Sequence, residues 1–306
     1  MMPFEVRRSE VSGGGLAYVD LGEGPPVVLL HGFPTSSYLW RREIPLLASR
    51  MRVIAPDLLG YGTSDKPEEG DLSEPAQARY VGELLESLGV TETAVVAHDI
   101  GGAVAQLLAL DSPIGVAALV LLDSACFDAW PIEGVKMLQA ATPDQQQPEF
   151  VDSIIRLTFD LGIAHPGRLS DSDLDAYLEP WRADPAAFFR AVRGITGSGL
   201  AGREAELGAF EGAAMVIWGE QDPFLPPELG ERLGELLGAT VALLPGCSHF
   251  VNEDAPSTVG PIVYEYLRSR YLHQSHTHHE EGPVPVFLHR PSNGGVAAFD
   301  PPGDED

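Results

Sequence analysis

A chain of 306 residues with 44% hydrophobic and 21% charged residues has material for a sizeable core and is neither fibrous nor built of membrane spans, since its apolar runs are short and interrupted. The net charge of −26, with lysine only at Lys66 and Lys136, argues against a nucleic-acid partner because no cluster of Lys or Arg offers a polyanion a landing site. Two cysteines, Cys126 and Cys247, are too few for a disulfide framework or a metal cluster.

The start, Met1-Met2-Pro3-Phe4-Glu5-Val6-Arg7-Arg8, lacks the apolar stretch of a secretory signal, so a cytoplasmic location is expected. Short β-branched or aliphatic runs then alternate with helical patterns. Pro26–Leu30, Arg52–Ala55, Thr93–Ala97, Ala118–Leu122, Met215–Trp218 and Val241–Leu244 each stop close to a Gly, Pro, His or Asp. That alternation predicts an α/β protein with a mostly parallel sheet flanked by helices on both faces. Between Ser124 and roughly Phe210 the strand pattern stops, and Pro143, Pro166, Pro180 and Pro185 mark breaks between helical pieces. An inserted helical cap over 124–210 is expected, within a core made of 1–123 and 211–271 whose last helix runs from Thr258 to Tyr271. The remainder, 272–306, is rich in Pro, Gly, His and acid and reads as a tail, disordered or extended on the surface. It carries His273, His276, His278 and His279 beside Glu280 and Glu281.

In an open α/β sheet, ligands gather beyond the C-terminal ends of the strands, and three motifs fall there. Val95-Val96-Ala97-His98-Asp99-Ile100-Gly101-Gly102, followed by a helical run, has the form of a nucleophile elbow, a strained strand-to-helix turn that lifts one side chain above the sheet. Asp99 stands at the nucleophile position, where a helix N-terminus favours an ionised carboxylate. Leu30-His31-Gly32-Phe33-Pro34 follows a buried strand and would offer the Phe33 N–H to an oxyanion hole, with the Ile100 N–H as second donor. Trp218-Gly219-Glu220-Gln221-Asp222-Pro223 and Pro245-Gly246-Cys247-Ser248-His249-Phe250 supply an acid and a histidine. Asp222 would orient His249, with Asp123 as the alternative acid. The order nucleophile, acid, histidine differs from the chymotrypsin and subtilisin orders. His31, His98 and Asp57 are read as structural.

Over Pro26 to Tyr271 the sequence resembles the aspartate-nucleophile branch of the α/β-hydrolases, which holds epoxide hydrolases and haloalkane dehalogenases. The resemblance implies an eight-stranded-type sheet, a covalent alkyl-enzyme ester on Asp99 and its hydrolysis by water activated by His249. It implies no cofactor and no metal. The partners would be a small apolar or weakly polar organic substrate and water, with no membrane, and a homo-oligomer is left open. In dehalogenases the departing halide is held by a Trp after the nucleophile plus an Asn after the His-Gly pair or a second Trp in the cap. Ile100 and Phe33 occupy the first two places, leaving Trp130 and Trp181 as candidate donors. In epoxide hydrolases a pair of cap tyrosines protonates the ring oxygen; here the nearest substitute is Tyr177 with His165. Epoxide hydrolysis is the first expectation and dehalogenation the alternative. Ester or carbon–carbon bond hydrolysis and a non-catalytic ligand-binding role stand behind them.

Overall fold

The computed structural model describes residues 2–142, 145–165, 167–272 and 297–298. Eight strands form one sheet: β1 Arg7–Val11, β2 Gly14–Leu21, β3 Pro26–Leu30, β4 Arg52–Pro56, β5 Glu92–His98, β6 Gly115–Leu122, β7 Ala213–Gly219 and β8 Thr240–Leu244. Their order is β1-β2-β4-β3-β5-β6-β7-β8, and the two-residue strand β9, Ala297–Ala298, pairs with β8. Pairing is parallel from β4 through β8. The strands β1 and β2 form an antiparallel hairpin that joins β4 at the edge.

The period-2 alternation of side chains divides each central strand between two cores. Val28 and Leu30 of β3, Val95 and Ala97 of β5, and Val216 and Trp218 of β7 enter one cluster. Val27, Leu29, Val96, Met215 and Ile217 enter the other. Because both faces are covered, these strands are apolar on both sides. Helices α2 (Glu74–Ser87), α3 (Ile100–Asp111) and α9 (Pro227–Leu237) contribute buried residues to the first cluster. Helices α1 (Glu43–Leu47) and α11 (Pro256–Leu267) close the second, the latter through Val259, Val263 and Leu267 at helical spacing. A four-residue helix, α10 (Val251–Asp254), precedes α11.

Between β6 and β7 the chain inserts α4 (Glu133–Gln139), α5 (Pro148–Gly162), α6 (Asp171–Ala183), α7 (Pro185–Gly194) and α8 (Glu204–Gly208). Pro185 opens α7 after Asp184, which caps it by accepting from the Ala187 N–H. Pro180 does not break the chain as the sequence suggested. It sits inside α6 three residues before the end, where a missing N–H withdraws one hydrogen bond from the last turn only. Pro143, Pro166 and all of 272–306 apart from Leu272 and Ala297–Ala298 lie outside the described residues, so the expected breaks at those two prolines, the tail and its histidine tract do too. Among the described residues no helix is long and apolar enough to cross a membrane.

Candidate active site

Asp99 ends β5 and begins α3 with φ 53°, a left-handed conformation that an L-residue adopts at a cost of order 1–3 kcal/mol. The turn closes because its neighbours lack side chains: a Cβ on Gly101 would lie 2.4 Å from the His31 carbonyl oxygen, and one on Gly32 would lie 2.6 Å from Asp99 Oδ2. The Ala125 N–H and the Gly102 N–H both donate to the Asp99 carbonyl, fixing the elbow from two sides.

The Gly32–Phe33 peptide is aimed with equal care. The Gly32 carbonyl accepts from the Thr35 N–H, from Thr35 Oγ1 at 2.9 Å and from His31 Nδ1 at 3.0 Å. His31 is set in that tautomer because its Nε2 accepts from the Leu58 N–H at 2.9 Å. With the carbonyl tied back, the trans peptide turns its N–H the opposite way, and the Phe33 N–H donates to Asp99 Oδ2 at 2.8 Å. Oδ1 of the same carboxylate is buried and has no hydrogen-bond partner. One oxygen is held and the other is free.

His249 stands beside the free oxygen. Its Nδ1 lies 2.8 Å from Asp222 Oδ2 and its Nε2 lies 3.9 Å from Asp99 Oδ1. Asp222 Oδ1 accepts from the Phe224 and Leu225 N–H groups, which fixes the carboxylate. This arrangement puts the His249 proton on Nδ1, toward Asp222, and leaves the Nε2 lone pair toward Asp99. His98 Nε2 is 2.9 Å from the His249 carbonyl oxygen. Burial drives the His98 pKa well below the ordinary value, with the His249 charge adding to the effect, so His98 is a neutral donor that holds the backbone. Asp123, the alternative acid, does not reach His249; its Oδ1 accepts from the Gly219 N–H at 2.8 Å. Burial first and the Asp222 charge second raise its pKa well above the usual carboxylate value.

Burial also raises the Asp99 pKa to about 6, against the His249 charge and the Ile100 and Phe33 N–H groups that lower it. Desolvation thus outweighs the helix terminus in setting the direction of the shift, while the group remains mostly ionised at pH 7, the state expected from the sequence. His249 is raised: burial opposes its charged form, but the Asp222 charge and hydrogen bond and the Asp99 charge together prevail.

The expected donors from the insertion separate. The Tyr177 hydroxyl donates to Glu253 Oε1 at 2.6 Å, and His165 is exposed, so among the described residues these two hydrogen-bond neither each other nor Asp99. Trp181 Nε1 is committed to the Pro34 carbonyl at 2.8 Å. Of the two tryptophans expected as donors, Trp130 keeps a buried, unpartnered N–H, beside a cavity of about 10 Å³ bounded also by Glu74, Ala103 and Ala125, room for about one water. Among the described residues no group of three or more His, Cys, Asp or Glu side chains is placed to hold a metal.

Residues that sequence reasoning passed over join the insertion to the site. Glu253 accepts from Arg41 at 2.6 and 2.9 Å, from Arg42 at 2.6 Å and from Tyr177. Asp254 accepts from the Ala164, His165 and Ser248 N–H groups, and Arg168 donates to its carbonyl. Both acids lie shortly after the motif that ends at Phe250, and that nearness to His249 was the available signal. Tyr61, in the Gly60-Tyr61-Gly62 turn, packs edge-on against His31 at 5.4 Å and Trp181 at 5.6 Å between ring centroids.

A sheet of this topology with an elbow, an oriented histidine and a buried acid defines a hydrolase of the α/β class. The chain matches the α/β-hydrolase fold family over residues 25–256 and belongs to it. It is 31% identical to haloalkane dehalogenase 2 of Mycobacterium tuberculosis over 277 residues, covering 87% of this chain and 96% of that protein. It is 38% identical to a soluble epoxide hydrolase of Corynebacterium sp. over 150 residues, covering 47% of this chain and 52% of that protein. An α/β-hydrolase fold protein from Burkholderia ambifaria superposes with a TM-score of 0.75 at 30% identity, covering 85% of this chain and 97% of that one. The protein is an enzyme of this hydrolase family.

Proposed function

We propose that the enzyme opens a small apolar or weakly polar epoxide in the cytoplasm through a covalent ester on Asp99. The observation that carries this reading is the split carboxylate: Oδ2 is held by the Phe33 N–H while Oδ1 is unpartnered and faces His249. In the first step Oδ1 attacks an sp³ carbon and the ring carbon–oxygen bond breaks. Esterification removes the Asp99 charge, and with it one of the causes that raise His249. The imidazole is therefore more often neutral in the ester than in the free enzyme, when it is needed to take a proton from water. Hydroxide then adds to the ester carbonyl, whose developing oxyanion is met by the Phe33 and Ile100 N–H groups, each such donor being worth about 3 kcal/mol.

Halide release is the second reading, favoured by the near full-length likeness to a haloalkane dehalogenase. It ranks behind because Ile100 and Phe33 have no side-chain N–H and Trp181 Nε1 is already bonded, leaving Trp130 alone. The test is a substrate panel run with heavy-oxygen water. Epoxide hydrolysis gives a diol, dehalogenation gives halide and an alcohol, and in a single turnover the heavy oxygen enters Asp99 rather than product. Label appearing only in the product of that first turnover overturns the covalent route.

A further inference from the structure

Hydrolysis of an ester on Asp99 needs a water that touches both the ester and the base, and the 3.9 Å between Asp99 Oδ1 and His249 Nε2 suits one. Asp222 alone does not fix that distance. Its 2.8 Å contact to Nδ1 orients the imidazole, but the main chain carrying the ring belongs to the loop between Leu244, the end of β8, and Val251, the start of α10. His98 holds that main chain at His249 itself. Its Nε2 lies 2.9 Å from the His249 carbonyl oxygen, and because a carbonyl only accepts, the His98 proton is on Nε2. His98 is the last residue of β5, adjoins the nucleophile and pairs with Leu122 of β6. The sheet therefore fixes the carboxylate and the anchor of the base through two consecutive residues.

Packing alone does not ask for an imidazole here. His98 is fully buried, and among the described residues its Nδ1 has no hydrogen-bond partner, a deficit that an apolar side chain would not carry. Stacking on Phe250 at 5.5 Å and tilting against His249 at 4.8 Å between ring centroids need no nitrogen either. The bond to the His249 carbonyl does. The ring also donates without bringing charge: burial first and the His249 charge second hold its pKa well below the ordinary value, so no second cation stands beside the general base.

We infer that His98 is a positioning residue for the hydrolytic half of the reaction, its Nε2–H holding the His249 main chain so that the gap to Asp99 keeps the width of one water. This role rests on the covalent reading of Asp99. In that step the water oxygen bonds the ester carbonyl carbon and one water proton passes to His249 Nε2. The bond from that carbon to the alcohol oxygen then breaks, and the imidazole returns its proton to the departing oxygen. The Asp99 carboxyl left behind ionises, replacing the proton that the ring oxygen took up at ring opening. Alkylation makes no use of the gap, because the attacking carboxylate is held by the Phe33 N–H. Slack in the His249 loop therefore acts on ester decay and spares ester formation.

The experiment compares His98→Gln with His98→Asn, which carry the same amide at different reach: the Gln nitrogen extends about as far as Nε2, and the Asn nitrogen stops at the level of Nδ1. With a styrene-type epoxide, intact mass follows ester decay in chains that keep His249 and ester formation in the same variants built on His249→Gln, alongside thermal unfolding. His98→Asn should slow ester decay ~10-fold or more, within the ~10²-fold that a misplacement of about 1 Å can cost, with ester formation unchanged. His98→Gln should recover most of the decay rate. Unchanged decay in His98→Asn overturns the inference. So does an equal loss in both steps that tracks a lowered melting temperature, or a Gln chain as slow as the Asn one, since either marks a structural role. If His249→Gln forms no ester with the epoxide or with a primary alkyl halide, the covalent reading itself fails and the His98 role falls with it.

Discussion

Replacing His249 with Gln separates the two chemical steps, and the geometry fixes how far. Nε2 is 3.9 Å from Asp99 Oδ1, too far for a direct hydrogen bond and suited to an intervening water. Removing the base should slow ester hydrolysis ~10²–10⁴-fold, equivalent to about 3–5 kcal/mol of barrier. Alkylation uses an ionised Asp99 and does not use His249 as a base. Losing His249 removes a charge that lowers the Asp99 pKa from where burial places it, so that value rises above about 6, and the assay belongs at pH 8. There the ester should accumulate toward one per chain and map by intact mass and peptide analysis to Asp99. The mass reports the leaving group too: an epoxide adds its whole mass, an alkyl halide its mass less the hydrogen halide. An adduct on Cys126 or Cys247, whose thiols burial pushes up to about 12, or no adduct at all, refutes the reasoning.

Asp222→Asn should slow turnover ~10³–10⁴-fold, as loss of the orienting acid does in hydrolytic triads, whereas Asp123→Asn keeps an acceptor for the Gly219 N–H and should stay within ~10-fold; steady-state kinetics with the reverse ranking would sink the assignment. Glu43 is buried beside Asn252, and burial raises its pKa from 4.5 to about 7. The protonated form is the one the fold favours, so stability is fully present below pH 4.5 and is withdrawn as pH rises through 7, by up to about 3 kcal/mol at ~1.4 kcal/mol per pH unit. Urea unfolding should find Glu43→Gln gaining on the parent by that order between pH 5 and pH 8, and an equal difference at both would remove Glu43 as the cause.

The six central strands were legible because a run such as Val27-Val28-Leu29-Leu30, buried on both faces, is apolar without a break and ends at a chemically distinctive residue. The hairpin of β1 and β2 was not: β1 is largely exposed, and Gly13-Gly14-Gly15 obscures the alternation that a half-buried strand displays. Asp99, Asp222 and His249 could be named because each follows a strand end, where backbone topology alone dictates position. The reach of Tyr177 and His165 depends on how the inserted helices lie on the core, and nothing in local sequence encodes that. The Tyr177 hydroxyl donates to a residue 76 positions away, a pairing no spacing rule anticipates.

Glu253 and Asp254 make the His249 segment and the inserted helices share one attachment. Asp99 and His249 are 1% and 3% exposed, and the short helix that carries these acids is hydrogen-bonded to the insertion at Tyr177, Ala164, His165 and Arg168. For anyone building a chimera with a relative's insertion to change the range of substrates, cutting at the ends of β6 and β7 is therefore insufficient. The donor segment must bring a phenol to Glu253 and a pair of N–H groups to Asp254. A graft lacking the phenol still leaves Glu253 its two arginines, but one that forces Arg41 away leaves the buried carboxylate with Arg42 as its one charged partner, and the loss would be read as a poor substrate match when its origin is the displaced His249 segment.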